Sequence, residues 1–344
     1  MLISASMELF SEARRFHKVH WLFRRLKHPT DLNMAVLLNS LVRSKIPKKG
    51  FLASVFLKEI VRKKHFPVDT RLATLVVLAW AKSDAPSAAK KALAIHEQLQ
   101  ETLSHDPPSI VYYNAILECI SVSGGKEAVK RTEDLMELIH RVDLTPNEIT
   151  YTLAIRALLR GGDDIRADEM LDRMRESPYP PRIRTFNTIM AFHAHAGVLG
   201  SAIQVEQMVL ELHRQSRTQP HLAPDAVSYN IIYSAWAKAD IAFSSNRMMK
   251  VYDRMQRVGL EPNLVTFTTL IHYLSSTGDW GDMSRAQDLL TTLEEHPTLQ
   301  PDRRHYYQIM HGWNDMDVPE FGEEILKRRI TAYVNGNTKV APIR

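Results

Sequence analysis

The stretch Pro224–Tyr233, PDAVSYNIIY, has the composition of a helix start. A Pro-Asp turn supplies an N-cap acceptor, and apolar residues at helical spacing follow. Asn230, directly after Tyr229, is a mediocre helix former. Its relatives recur along the chain. Aromatic residues followed by Asn or Thr fall at Tyr113, Tyr151, Phe186, Tyr229 and Phe267, and Tyr306 stands in the same place before Tyr307. The intervals are 38, 35, 43, 38 and 39 residues. Each aromatic follows a turn word: DPPSIVYYN, TPNEITYT, PPRIRTFN, APDAVSYN, EPNLVTFT and QPDRRHYY. Weaker copies, HPTDLNMAV and FPVDTRLAT, lie upstream.

Within each interval two apolar-periodic segments are separated by a polar or glycine break, such as Gly124-Gly125, Gly161-Gly162, Gly197 and Gly278. In the second segment RADEMLDRMRE, Met170, Leu171 and Met174 follow Ala167 at i+3, i+4 and i+7, one face of an α-helix. Strand-like alternation is absent. The unit is a helix pair of about forty residues, which cannot bury its apolar face alone and must stack on neighbours. The sequence therefore predicts an all-α solenoid of helical hairpins. Residues 1–30 read as an unpaired N-terminal helix, the second half of a partial repeat. Residues 31–302 hold seven hairpins beginning near Asp31, Thr70, Ile110, Glu148, Ile183, Ala226 and Leu264, and residues 303–344 hold a divergent terminal pair and tail.

The chain of 344 residues is 44% apolar and 24% charged, enough to bury a large core. Its single cysteine, Cys119, excludes an internal disulfide framework and any multi-thiolate metal site. No wholly apolar run approaches the ~20 residues of a membrane span. Residues 1–65 carry 14 Lys/Arg against 4 Asp/Glu, a net +10, whereas the remainder carries 30 against 35, a net −5. Lys45, Lys48, Lys49, Arg62, Lys63 and Lys64 thus offer an anion-seeking surface at one end. The first apolar stretch is short and contains Glu8, unlike a secretory signal. The segment's arginines fit an organelle leader, Glu8 and Glu12 weigh mildly against one, and the favoured reading is a helix belonging to the fold.

The pattern Pro-[Asp/Asn]-x-Val-[Thr/Ser]-[Tyr/Phe]-[Asn/Thr], carried by PNLVTFTTLI, PDAVSYNIIY and PNEITYTLAI, resembles the pentatricopeptide repeat. RADEMLDRM and MKVYDRMQRVGLEPN are similar to that repeat's second helix and exit. The resemblance spans roughly Asp31 to Asn335 and is densest over Ile110–Asp302. It implies single-stranded RNA as partner, one nucleotide per repeat, and an organellar location, mitochondrion or plastid. Other RNA-processing proteins are implied as further partners.

The resemblance also implies which side chains read bases: Thr74, Asn114, Thr152, Asn187, Asn230 and Thr268 after the aromatic, paired in order with Ser109, Asn147, Arg182, Asp225, Asn263 and Asp302 at the repeat ends. Elementary chemistry agrees. An aspartate only accepts hydrogen bonds and suits uracil or guanine; an asparagine can donate and suits cytosine or adenine. The family's code implies U for Asn187/Asp225, C for Asn114/Asn147 and Asn230/Asn263, and G for Thr268/Asp302. Thr152/Arg182 and Thr74/Ser109 depart from it and lean to purine, giving 5′-(R)CRUCG-3′. Arg71, Val111, Ile149, Arg184, Val227 and Val265 are implied to sandwich the bases. Lys82, Arg160 and Lys238, near first-helix C-termini, suit phosphate contact.

The same residues have plainer roles to weigh. Asn147, Asp225, Asn263 and Asp302 suit N-caps as well as base readers. Tyr113, Tyr151, Phe186, Tyr229 and Phe267 suit the inter-helix core better than base stacking, and the methionines of RMMKVYDRM suit packing. His17 with His20, and His193 with His195, lack the carboxylate or thiolate neighbours of a zinc site, so neither metal nor cofactor is expected. A zinc deaminase needs a Pro-Cys-x-x-Cys pair, which one cysteine excludes. Glu323 and Glu324 diverge on a helix and form no convergent acid pair. The expectation is an RNA-binding protein without catalytic activity or a small-molecule substrate. Two alternatives stand beside it: a tetratricopeptide-like scaffold for peptides, and the RNA-binding part of a larger RNA-processing enzyme.

Overall fold

The turn words start helices. In the computed structural model, which describes residues 2–13, 15–26, 30–63, 69–83, 85–98 and 108–337, every described regular element is helical. The side chains of Arg62 and Lys63, and all of Lys64, lie outside the described part. The chain divides into two compact units, Met1–Pro181 and Arg182–Arg344.

The first unit contains α1 (Leu2–Glu12), α2 (Phe16–Phe23), α3 (Asp31–Arg43), α4 (Lys49–Lys63), α5 (Thr70–Ala81), α6 (Ala88–Gln98), α7 (Ile110–Ser123), α8 (Lys126–Arg141), α9 (Glu148–Gly161) and α10 (Asp164–Glu176). The second contains α11 (Ile183–Ala194), α12 (Leu199–Gln215), α13 (Ala226–Ala239), α14 (Ser244–Arg257), α15 (Leu264–Ser276), α16 (Trp280–Glu294), α17 (Arg303–Asp315) and α18 (Pro319–Val334). A 3₁₀ turn, Pro220–Leu222, sits in the long connector before α13.

In each unit the first helices of successive hairpins pack side by side, α3 on α5 on α7 on α9, and α11 on α13 on α15 on α17. Second helices fill the grooves between them: α8 touches α7 and α9, and α14 touches α13 and α15. This is the layered stack of a helical-repeat solenoid. The layer has a simple cause. Each first helix buries residues on two sides, as in α7 with Tyr112, Tyr113, Ile116, Leu117 and Ile120. A second helix buries one stripe, such as Ala167, Met170, Leu171 and Met174 on α10. Every fully buried side chain of that size contributes roughly 1.5–3 kcal/mol. The recurring aromatics Tyr113, Tyr151, Phe186, Tyr229, Phe267 and Tyr306 are all core residues.

The N-terminal segment differs from the single unpaired helix expected. It folds as two helices, α1 and α2, packed on each other and on α3. Ala13 N donates to Leu9 O and Arg15 N to Phe10 O, which ties the two helices' facing ends together. Met7, Phe16 and Val19 are thereby buried, so the first complete hairpin has an apolar cover. Close approach fixes composition at one point near the other end. A Cβ on Gly312 of α17 would lie 2.5 Å from Ser275 O of α15.

Candidate nucleic-acid interface

Helix capping builds the pairs. Asn147, Asp225 and Asn263 are the N-caps of α9, α13 and α15, and each closes a capping box with the residue three ahead, Thr150, Ser228 or Thr266. The cap oxygen accepts from that residue's backbone N–H at 2.9–3.0 Å, and the hydroxyl accepts from the cap's own N–H at 3.1–3.2 Å. Each cap contributes about 1 kcal/mol.

The same hydroxyl then reaches into the preceding hairpin. Thr150 Oγ1 donates to Asn114 Oδ1 at 2.7 Å, Ser228 Oγ to Asn187 Oδ1 at 2.7 Å, and Thr266 Oγ1 to Asn230 Oδ1 at 2.8 Å. In return the asparagine amide donates to the cap oxygen: Asn114 to Asn147 at 3.4 Å, Asn187 to Asp225 at 3.1 Å, Asn230 to Asn263 at 3.2 Å. Three side chains from two hairpins are thus locked in one orientation, three times over.

The lock decides what chemistry remains on offer. With Oδ1 of Asn147 and Asn263 committed to the helix end, the amide nitrogen faces away from it, presenting N–H donors. With Oδ1 of Asp225 committed in the same way, what remains is Oδ2, an acceptor only. The asparagine partners are more covered than an open groove would leave them. Asn114 and Asn187 are 8% exposed, because the cap and hydroxyl of the next hairpin lie over them; Thr74 is equally buried, and Asn230 and the three caps are half-buried.

Two models of pentatricopeptide repeats match the sequence, one described as the pentacotripeptide-repeat region of PRORP over residues 61–213 and one as the pentatricopeptide repeat domain over residues 244–309. Together they span well over half of the chain. The chain belongs to the pentatricopeptide repeat family. A putative pentatricopeptide repeat-containing protein of Arabidopsis thaliana is 25% identical over 53% of this chain and 54% of its own length. Another from Arabidopsis thaliana, designated chloroplastic, is 23% identical over 58% of this chain and 24% of its own. The chain spans about half the length of these curated relatives, or less. The crystal structure of PPR10 from maize superposes with a TM-score of 0.58 at 19% identity, covering 97% of this chain and 44% of that one. The structure of PPR10 in complex with an 18-nt psaJ RNA element gives 0.59 at 15%, covering 96% and 44%. These likenesses concern the fold.

The remaining pentatricopeptide repeat positions are less uniform. Thr74 Oγ1 bonds back to Thr70 O at 2.6 Å, and Ser109 caps α7 without a side-chain bond. Thr152 Oγ1 donates to Glu148 O at 2.7 Å in the first unit, while Arg182 is the exposed N-cap that opens the second. At the last junction His305 replaces the hydroxyl. Its Nε2 lies 2.9 Å from Thr268 Oγ1, and its Nδ1 lies 2.9 Å from Asp302 Oδ1 and accepts from Asp302 N at 3.0 Å. Thr268 spends its own proton on Leu264 O at 2.6 Å, so Nε2 carries the donating hydrogen. Burial lowers the His305 pKa, against the pull of Asp302. Burial raises the Asp302 carboxyl, but hydrogen bonds from Arg304 outweigh it and hold the group below the usual range. Arg304 also occupies Asp302 Oδ2 at 2.7 Å, the oxygen that Asp225 leaves open.

Val111 and Ile149 in the first unit, and Val227 and Val265 in the second, are aliphatic residues at the second position of their first helices, each more than half accessible, and Arg71 and Arg184 are exposed at theirs. Of the basic residues, Lys238 is exposed in the last turn of α13. Lys82 is tied to Glu118 at 3.1 Å, and Arg160 donates to Ser121 O at 3.0 Å. Arg156, which the spacing did not single out, grips Ser121 Oγ through Nε at 3.1 Å and Nη2 at 2.6 Å. Thr150, Ser228 and Thr266 were visible as the residue before each aromatic, but only the fold reveals them as bridges. Among the described residues no group of three or more His, Cys, Asp or Glu could hold a metal, and no helix is long and apolar enough to cross a membrane.

Proposed function

We propose that this protein binds single-stranded RNA along its first helices, one base per hairpin, and acts by occupancy in organellar RNA processing, stability or translation. One observation carries the reading: capping turns an acceptor outward at Asp225 where Asn147 and Asn263 offer donors, so three like scaffolds differ in hydrogen-bond sign. That is the distinction between the uracil N3–H and the cytosine N3 lone pair. The aliphatic series beside the pairs supplies flat apolar contact for bases. PPR10, whose fold the chain shares, is seen with an RNA element, and a chloroplastic relative supports the organelle.

The test is unbiased RNA selection at two salt concentrations with the wild-type chain and Asp225→Asn. The wild type should enrich U between the purine and C of CRUC, and the variant should enrich C there. Unchanged preference at that nucleotide overturns the base-reading role, and enrichment of no RNA, with capture of peptides in a parallel peptide-library selection, would assign the groove to a scaffold. A second reading makes these hairpins the RNA-holding part of a larger RNA-processing enzyme. The match to the repeat region of another protein favours it.

A further inference from the structure

The terminal hairpin breaks the small-polar rule. Counting from the N-cap, Tyr307 occupies the position on α17 that Asn230 holds on α13 and Thr268 on α15, and the residue is 59% exposed. It lines a cleft of about 420 Å³ together with His272, Arg303, Arg304, Gln308 and Arg329, contributed by α15, α17 and α18. That volume falls among small-ligand clefts. Arg303, Arg304 and Arg329 line it beside the ring, and Arg304 is held by Asp302 at 2.7 Å. His311 holds the ring from one side, centroids 5.8 Å apart.

We infer that this cleft is a stacking site for the nucleotide immediately 3′ of the read sequence, taking any base on Tyr307 while Arg303 holds its phosphate. The inference rests on the RNA reading proposed above. A phenol ring face cannot distinguish donor from acceptor patterns, but every base has a π-face that stacks on it. Guanidinium groups match phosphate geometry. An acidic peptide would use the charges and leave the ring without a role, which is why a nucleotide is favoured.

The experiment is fluorescence anisotropy on the full chain with three RNAs: the six-nucleotide read sequence, the same RNA extended by one 3′ nucleotide of each base, and the same RNA extended by an abasic residue. The extension should tighten Kd by about fivefold or more, irrespective of base, and the abasic residue should recover only a minor, salt-sensitive part. Tyr307→Ala should abolish the base-dependent gain, Tyr307→Phe should keep it, and Arg303→Ala should reduce the abasic contribution. An equal gain in Tyr307→Ala, an abasic residue as good as a base, or displacement of the extension by poly-glutamate with the six-nucleotide contact intact would each overturn it. Base preference within the six nucleotides is scored separately through Asp225→Asn. Loss of that preference with a persisting Tyr307-dependent gain sinks the code and leaves the stacking site standing.

Discussion

Asn187 and Asp225, 38 residues apart, share a hydrogen bond of 3.1 Å, and both are held by the hydroxyl of Ser228. The bridge has no contact role of its own in the proposed RNA complex, so it tests whether orientation matters. Ser228→Ala should cost about 1–2 kcal/mol in urea unfolding, since the buried Asn187 oxygen and the Asp225 N–H lose a partner. It should also relax discrimination between U and C at that nucleotide alone, measured by competition binding with single-base RNA variants. Intact discrimination would mean the pair needs no such lock.

Lys238 and Lys82 occupy equivalent helix ends but different electrostatic settings. Lys238→Ala should weaken all RNAs alike and reduce the salt slope by about 1. Lys82→Ala should do less, because Lys82 is already paired with Glu118. Glu118→Gln, which frees Lys82, should tighten binding at low salt. Affinity titrations across a salt series read all three.

Acid should loosen the fold in a defined window. The pKa values of His96, His213 and His305 are lowered from 6.5, in each case chiefly by burial. His96 and His213 contact Tyr112 and Tyr229 hydroxyls at 3.2 and 3.0 Å. Below 6.5 the unfolded chain binds protons that these folded sites refuse, so stability is full above 6.5 and falls as pH drops toward the folded values. Urea midpoints should decrease between pH 7.5 and 5.5, and changing the three histidines to Gln should flatten that slope. The lowered Asp302 acts in a separate, more acidic window: its contribution is present above 3.8 and lost as pH falls below it.

Glu206 on α12 is a buried carboxylate of the second unit, 2% exposed. It accepts from Trp236 Nε1 at 3.1 Å, Arg247 Nε and Nη2 at 2.9 and 3.0 Å, and Arg254 Nη1 at 2.9 Å. Glu206→Ala strands two guanidinium groups and an indole N–H, at about 3–5 kcal/mol in denaturant unfolding. Arg175→Ala, which breaks an exposed pair with Asp172, should stay within about 1 kcal/mol.

The sequence shows its architecture because turn words and apolar period are local signals. First helices start at Asp31, Thr70, Ile110, Glu148, Ile183, Ala226, Leu264 and Arg303, each inside one of those words, and the α10 stripe is the one its period indicates. What stayed hidden is long-range. Nothing near Glu206 announces arginines 41 and 48 residues away, and nothing near Lys82 announces Glu118. The break between α1 and α2 carries no proline or glycine, so the segment reads as one helix. At the candidate interface the residue types were legible, but their burial and the hydroxyl bridge depend on how one hairpin settles on the next.

The bridging hydroxyl places the seam between modules somewhere other than the connector prolines. A hairpin transplanted from proline to proline would leave behind the side chain that orients its own terminal pair. The smallest self-sufficient cassette runs from Asn230 through Thr266, and chimaeras cut there should import a specificity whole.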